Sequence, residues 1–125
     1  EMCIRDSQES EDIHIIGSDA LIYRMLFNLV ENAIKYNQPG GSVQITISRS
    51  DGKAILRVAD TGCGIPDEYR TSIFEPFFRV DKSRSRALGG VGLGLALARE
   101  IVSVHDGSIS VRDNPAGGTV FEVIF

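Results

Sequence analysis

The 125-residue chain contains no tryptophan, two cysteines and no apolar run of the ~18 residues that a membrane-spanning helix needs. Cys3 and Cys63 are too few for a disulfide framework, which favours a reduced, cytoplasmic setting. Basic residues are also scarce, because 13 Lys and Arg stand against 17 Asp and Glu, for a formal net charge of −4. This balance argues against a nucleic-acid-binding protein. The sequence has neither the Rossmann fingerprint nor the GxxxxGK[ST] phosphate loop.

What is present is the composition of one globular domain, with 42% hydrophobic and 24% charged residues. Residues 1–12 are polar and lack any hydrophobic period, so we expect a disordered or junction segment there. We expect a single domain over residues 13–125. A domain of this size can form one hydrophobic core without disulfides or metals to stabilise it.

Apolar spacing predicts strands and helices in a definite order. A short strand at residues 13–16 precedes a helix that Ser18 or Asp19 caps and that residues 37–41 stop. Asp51-Gly52 predicts a hairpin turn between two strands. Further segments are predicted as a short helix (67–74), a long helix (93–102) ended by Asp106-Gly107 and capped by His105, and a closing hairpin (109–124). This order predicts an α+β two-layer sandwich whose mixed, largely antiparallel sheet is covered by helices on one face.

The first long helix carries a polar stripe formed by Asn28, Glu31, Asn32 and Lys35, which are spaced three and four residues apart. A solvated helix face would account for such a stripe. Two asparagines argue against that explanation, because Asn is a weak helix former. Amide and carboxylate oxygens one turn apart suit a hard cation such as Mg²⁺, which keeps waters and bridges phosphates.

Two glycine clusters flank a charged segment. Residues 60–66, Asp-Thr-Gly-Cys-Gly-Ile-Pro, follow a strand and let the backbone approach a flat ligand, while Asp60 can accept a hydrogen bond from an exocyclic amine. Residues 89–95 lead glycines into a helix N-terminus, which favours an anion such as a phosphate. Between them lie Arg79, Lys82, Arg84 and Arg86, a basic island suited to pairing with a triphosphate.

Five segments in this order resemble the catalytic ATP-binding domain of bacterial sensor histidine kinases. They correspond to the family's asparagine box (28–36), first glycine box (60–66), phenylalanine box (74–79), second glycine box (90–95) and closing glycine-threonine element (117–119). The resemblance implies the Bergerat fold, a mobile ATP lid over residues 75–90, and ATP and Mg²⁺ as ligands. It also implies a role for each matching residue.

By this resemblance Asn32 is the Mg²⁺ ligand, and Asn28 contacts phosphate or the metal shell. Lys35 contacts phosphate, Tyr36 lies by the nucleotide, and Asp60 reads the adenine amine. Glu31 is either a base or a helix-surface partner of Lys35. The remaining roles fall to the pocket wall and floor (Gly62, Gly64, Ile65, Thr119), the phosphate side and lid hinge (Gly90, Gly92, Leu93, Gly94) and the lid cations (Arg79, Arg84).

The resemblance further implies transfer of the γ-phosphate to a histidine on a separate dimerisation domain of the same kinase, with a response regulator as the next partner. The parent would be a membrane-bound sensor and this segment its cytoplasmic part, with no direct membrane contact and no nucleic acid. ATPases of the superfamily place a glutamate where this chain has Asn28, and an amide cannot act as a general base. Alternatives that stay open are an anti-sigma-factor-type serine kinase, a nucleotide-binding module without transfer activity, and a gyrase- or Hsp90-like ATPase.

Overall fold

A computed structural model describes residues 3–7, 17–35, 37, 39–62, 64–65, 67–70, 72–75 and 94–125. The helices and strands follow the chain as β1 (Cys3–Ser7), α1 (Asp19–Lys35), β2 (Ser42–Ser50), β3 (Lys53–Asp60), α2 (Gly94–Val104), β4 (Ser108–Asp113) and β5 (Thr119–Ile124). Two 3-10 turns, Asp67–Tyr69 and Ser72–Phe74, lie where one short helix was predicted. Short 3-10 turns are frequent in connecting segments.

The five strands form one sheet in the order β1-β2-β3-β5-β4. β1 pairs with β2 in parallel, and every other pairing is antiparallel, so the predicted mixed, largely antiparallel sheet is confirmed.

β1 corrects the expectation that residues 1–12 stand outside the fold, because Cys3–Ser7 pairs with Ser42–Thr46. An edge strand is held by backbone hydrogen bonds to a single neighbour and needs no hydrophobic alternation, which explains why no apolar pattern marks it. The strand predicted at residues 13–16 lies outside the described residues.

The β2–β3 hairpin turns at Asp51-Gly52 as predicted. Both residues have positive φ, 52° and 77°, which is the type I′ geometry that matches the twist of paired strands. The hairpin thereby fixes the register that pairs Val43 with Asp60 at its open end. β3 is the central strand, so this register decides where Asp60 lies.

The core lies between the sheet and the two helices. Buried residues of α1 and α2 pack on inward-facing residues of the sheet; they are Met25, Leu29, Ala33, Ala98, Ile101, Val102, Val43, Leu56, Val58, Phe121 and Val123. Side chains alternate across a strand, so Asp60 shares this helix-covered face with Leu56 and Val58. The other face carries polar pairs, such as Arg57 Nε to Glu122 Oε2 at 2.6 Å. The predicted covering of one sheet face by helices is thus confirmed.

A side chain caps the start of α1, and a backbone motif caps the end of α2. The Leu21 N–H donates to Ser18 Oγ at 3.3 Å, as expected for an N-cap serine. α2 ends in a Schellman motif: Asp106 N–H donates to the Ser103 carbonyl, Gly107 N–H donates to the Val102 carbonyl, and Asp106 has a φ of 59°. In the part of the chain that the structure describes, no helix is long and apolar enough to cross a membrane.

Candidate functional site

Asp60 lies at the carboxyl end of β3, and its residue surface is 7% exposed. Its Oδ1 accepts the Gly62 N–H at 2.9 Å and the Thr119 N–H at 3.2 Å. Burial raises the pKa of the Asp60 carboxyl, and the two backbone hydrogen bonds lower it by less, so the pKa lies above its ordinary value. Since both bonds fall on Oδ1, neither engages Oδ2, which can accept a hydrogen bond from a ligand amine.

The turn between β4 and β5 packs directly against Asp60. Gly118 has a φ of 96°, and a Cβ there would lie 2.7 Å from Asp60 Oδ1 and from the Gly62 nitrogen, and closer still to the Asp60 carbonyl oxygen. The closing glycine-threonine element therefore needs glycine at residue 118 because the backbone of another segment occupies the space of a side chain.

Asn114, in the same turn, donates from Nδ2 to the Asp60 carbonyl at 2.8 Å. None of the motifs found in the sequence includes this residue. Its only signal is an asparagine before Pro115 in a turn, a pattern explained equally well by local turn geometry.

The other residues of the first glycine box line the same region. Gly64 has a φ of 77°, and a Cβ there would lie 3.6 Å from the Gly118 carbonyl oxygen. Ile65 is partly buried and packs against the core. Thr119 is 5% exposed and supplies the N–H that reaches Asp60. The structure thus brings together two predicted segments, 60–65 and 117–119, that are far apart in sequence.

A second polar network, also missed from sequence, ties this region to the end of α1. The Thr61 hydroxyl accepts the Ser42 N–H at 2.9 Å and lies 3.2 Å from Asn37 Oδ1, to which it donates. Asn37 Nδ2 donates to the Ser42 carbonyl at 2.9 Å, and Asn37 is 7% exposed. A Cβ on Gly41 would collide with Asn37 Oδ1 and lie 2.8 Å from Thr61 Oγ1. The residue after Asp60 is therefore bonded to a residue just beyond α1.

The polar stripe of α1 is partly exposed. Lys35 Nζ lies 3.5 Å from Glu31 Oε1, and both side chains are accessible, 32% and 46% respectively. The two residues are one turn apart, so Glu31 lies beside Lys35 on the helix surface. Asn32, between them in sequence, is half-buried.

Asn28 is the second amide of the stripe. Its Nδ2 is buried and has no hydrogen-bond partner among the described residues. Gly94 is the first residue of α2, and a Cβ there would lie 4.0 Å from Asn28 Cβ. The N-terminus of α2, which includes the last glycine of the second glycine box, therefore lies beside the stripe. A buried amide donor without a protein partner suits an oxygen of a ligand.

The described residues contain no group of three or more His, Cys, Asp or Glu side chains that could hold a metal ion. Mg²⁺ keeps several waters and shares phosphate oxygens of its substrate, so a site at the stripe does not require such a group. Six predicted site residues lie outside the described residues: Tyr36, Arg79, Arg84, Gly90, Gly92 and Leu93. The predicted lid, residues 75–90, lies outside them except for Glu75.

Fold and site together define a class: an α+β sandwich with a carboxylate buried at the end of its central strand and an amide-bearing helix beside it. Residues 17–125 match the family described as histidine kinase-, DNA gyrase B-, and HSP90-like ATPase. The chain belongs to this family.

Named relatives place the similarity within histidine kinases. The chain is 41% identical over 114 residues to the sensor histidine kinase RppB of Synechocystis sp., covering 91% of this chain and 25% of RppB. It superposes with a TM-score of 0.84 on full-length ShkA in complex with AMPPNP, at 29% identity over 98% of this chain and 25% of that one. It also superposes on histidine kinase ThkA in complex with response regulator protein TrrA, with a TM-score of 0.80 at 27% identity over 99% of this chain and 34% of that one. The chain spans about a quarter of the curated relatives that it matches.

Proposed function

We propose that this domain binds Mg·ATP and donates the γ-phosphate to a histidine on a separate dimerisation domain of the same kinase, in two-component signal transduction. The observation that carries the proposal is Asp60, a buried carboxylate whose Oδ1 is fixed by two backbone N–H groups. An exocyclic amine can then donate to Oδ2. The AMPPNP complex of ShkA supports an adenine nucleotide as the ligand.

The stripe on α1 suits the phosphate end of the nucleotide. Asn32 would hold Mg²⁺ and Asn28 would meet a phosphate oxygen or the metal shell, because the buried Asn28 amide has no described protein partner. Lys35 would contact a phosphate. Bound Mg²⁺ would supply charge neutralisation at the β and γ phosphates. The remaining site residues keep the roles that the family resemblance implies; they are Tyr36, Arg79, Arg84, Gly90, Gly92 and Leu93.

The side chains on α1 favour transfer over hydrolysis. Where ATPases of the superfamily carry a glutamate to activate water, this chain has Asn28, whose amide cannot take a proton. Glu31 is exposed and paired with Lys35, which supports a surface role for it over that of a general base. The chemistry is then mainly positioning of the phosphates for in-line attack by the acceptor.

The acceptor and the later partner belong to the whole kinase. The ThkA–TrrA complex supports a response regulator as the later partner of the whole kinase. Because ATP is the substrate, we infer that the domain acts in the cytoplasm.

Transfer can be tested directly. The domain is incubated with Mg²⁺, γ-labelled ATP and a purified histidine-containing hairpin of a matching kinase. We expect label on the hairpin, and no label on a hairpin whose acceptor histidine is changed to alanine.

Acid treatment distinguishes the alternatives, since phosphohistidine is acid-labile and phosphoserine is stable. Acid-stable label on a protein acceptor would indicate a serine kinase. Steady phosphate release without an acceptor would indicate an ATPase, and binding without transfer a nucleotide-binding module.

A further inference from the structure

We propose that Asn114 is a positioning residue that sets where the Asp60 carboxylate meets adenine. This inference rests on the proposed role of Asp60 in reading the adenine amine. It assigns to the β4–β5 turn a part in base selectivity, carried by the hydrogen bond from Asn114 Nδ2 to the Asp60 carbonyl at 2.8 Å.

The pairing of β3 with β5 explains why Asp60 needs such a partner. The ladder runs from Ile55↔Ile124 to Ala59↔Val120, and its next step would place Asp60 opposite Thr119. At that step the Thr119 N–H donates to the side-chain Oδ1 of Asp60. The Thr119 N–H thus bonds to the Asp60 carboxylate where the ladder would otherwise offer it the Asp60 backbone carbonyl. That carbonyl accepts a hydrogen bond from the Asn114 amide instead.

The Asn114 amide is itself held in one orientation by its turn. Its Oδ1 accepts the Ala116 N–H at 3.1 Å, and its own backbone carbonyl accepts the Gly117 N–H at 2.8 Å. Rotation of the amide would lose the bonds at both Oδ1 and Nδ2. The amide therefore connects a turn of fixed geometry to the backbone of Asp60.

Space at the turn leaves little room for an alternative arrangement. Gly118 already packs against the Asp60 backbone so closely that a Cβ would collide with it. Without the Asn114 bond, the Asp60 carbonyl would lose the side-chain donor that the described residues provide. A shift of the Asp60 backbone would carry the carboxylate with it, and a displacement of a fraction of an ångström weakens a hydrogen bond to a ligand.

The test replaces Asn114 by aspartate in the full chain. Asn114→Asp keeps an oxygen for the Ala116 N–H and replaces the donor that faces the Asp60 carbonyl with an acceptor. Affinities are measured by calorimetry for ATP and for purine riboside triphosphate, which lacks the 6-amino group. We expect the wild type to prefer ATP by about tenfold or more, since the hydrogen bond has a charged acceptor. In Asn114→Asp the ratio should fall toward one.

A ratio between two triphosphates cancels any general loss of stability or added repulsion. Ala116→Asp is a matched control, because it places the same charge at an exposed position of the same turn and should leave the ratio unchanged. If Asn114→Asp does not fold, Asn114→Ser provides the second variant, as its hydroxyl can serve the turn but is too short to reach Asp60.

The outcomes separate this inference from the proposed function. If Asp60→Ala leaves the ratio at its wild-type value, the adenine-reading role of Asp60 is wrong. If Asp60→Ala removes the preference and Asn114→Asp and Asn114→Ser retain it, the positioning role of Asn114 is overturned. In an Asp60→Ala background, Asn114→Asp should change the ratio no further.

Discussion

At the residue scale, Asp60 combines burial with the need to carry a negative charge for its proposed ligand. Burial disfavours the charged form, and the Gly62 and Thr119 N–H groups only partly offset that effect. The side chain is therefore best suited to the protein with nucleotide bound, when a donor meets Oδ2. Such a conflict between stability and binding is common at functional sites.

This conflict predicts a pH-dependent gain in stability for Asp60→Asn. Because the folded-state pKa is raised, the group contributes stability that is fully present below its ordinary pKa of 3.8 and is lost as pH rises through the folded pKa. At neutral pH the buried charge thus destabilises the nucleotide-free fold. Asparagine keeps an oxygen for the Gly62 and Thr119 N–H groups and removes the charge, so we expect a higher melting temperature than that of the wild type at pH 7.

The difference in melting temperature should shrink as the pH is lowered toward 4, measured by thermal denaturation across that range without nucleotide. Glu100→Gln is the control, since it removes a carboxylate at an exposed position of α2 and should show no comparable gain. A melting temperature of Asp60→Asn below that of the wild type at pH 7 would contradict this prediction.

Residues of the site differ in how far the sequence could predict them. Asp60, Gly62, Gly64 and Thr119 lie in short motifs that are read locally. Asn114 and Asn37 could not be found that way, because their partners Asp60 and Thr61 lie 54 and 24 residues away and the contacts depend on strand register. A polar residue in a turn has a sufficient local explanation until the fold shows what it reaches.

At the element scale, α1 has three faces where the spacing predicted two. Met25, Leu29 and Ala33 face the core, and the polar stripe occupies a second face. Tyr23, Phe27 and Ile34 form a third, apolar face that is exposed to 70%, 43% and 38%. Hydrophobic period predicted the existence and limits of the helix well. It could not show which apolar residues the sheet covers, because that depends on how the helix is rotated on the sheet.

The stripe predicts that Asn32→Asp impairs use of Mg·ATP while leaving the fold intact. Asn32 is half-buried and outside the core cluster, so its substitution removes no core packing. A carboxylate there changes the charge that the metal and phosphates meet. Calorimetric titration of ATP with and without Mg²⁺ should show a changed metal dependence, and thermal unfolding should differ little.

Ala20→Asp adds the same charge at an exposed position in the first turn of α1 and should leave the metal dependence as in the wild type. Equal affinity and equal metal dependence in Asn32→Asp and the wild type would remove Asn32 from the site.

The β4–β5 turn offers a matched pair of glycines. Gly117 and Gly118 have nearly the same φ, 97° and 96°, but a Cβ on Gly117 meets nothing within 4 Å, whereas one on Gly118 collides with Asp60. Both alanine variants carry backbone strain of about 1 kcal/mol. The Gly118 variant should lose further stability and also lose adenine-nucleotide affinity, because Asp60 must move.

Chemical denaturation and ATP titration of the two variants measure this difference. If Gly118→Ala and Gly117→Ala behave alike in both assays, the contact of the turn with Asp60 has no role in nucleotide binding.

At the scale of the whole molecule, the two ends of the helix layer serve different purposes. The N-terminus of α2 lies beside Asn28 in the middle of α1, whereas its C-terminus lies beside the start of α1. There the Ser18 N–H donates to His105 Nε2 at 3.1 Å, so Nε2 is the acceptor and Nδ1 carries the proton. Nδ1 lies 2.7 Å from the Ile101 carbonyl, to which it donates, which confirms the predicted capping role of His105. The ring also meets Phe125 edge-on at 6.2 Å.

His105 should therefore affect stability and leave nucleotide binding intact. Asn28 lies ten residues beyond Ser18, the N-cap of α1, which corresponds to about 15 Å at 1.5 Å per residue. His105→Ala leaves the Ser18 N–H and the Ile101 carbonyl without this partner, and we expect a loss of about 1–3 kcal/mol in the free energy of unfolding. ATP affinity at 25 °C, where the variant stays folded, should change less than about twofold, a limit well under the tenfold that corresponds to 1.4 kcal/mol.

Urea denaturation and ATP titration of the same preparations give the two quantities. Val104→Ala is the neighbouring control, since Val104 is 61% exposed and its truncation should cost under about 0.5 kcal/mol. Gly17→Ala should reproduce the loss of stability, because a Cβ on Gly17 would collide with the His105 ring. A parallel fall of stability and affinity in His105→Ala would mean that the helix ends are coupled to the stripe on α1. Loss of stability alone would show that the far end of the helix layer does not affect ATP binding directly. That end would then support the stripe and Asp60 only by keeping the chain folded.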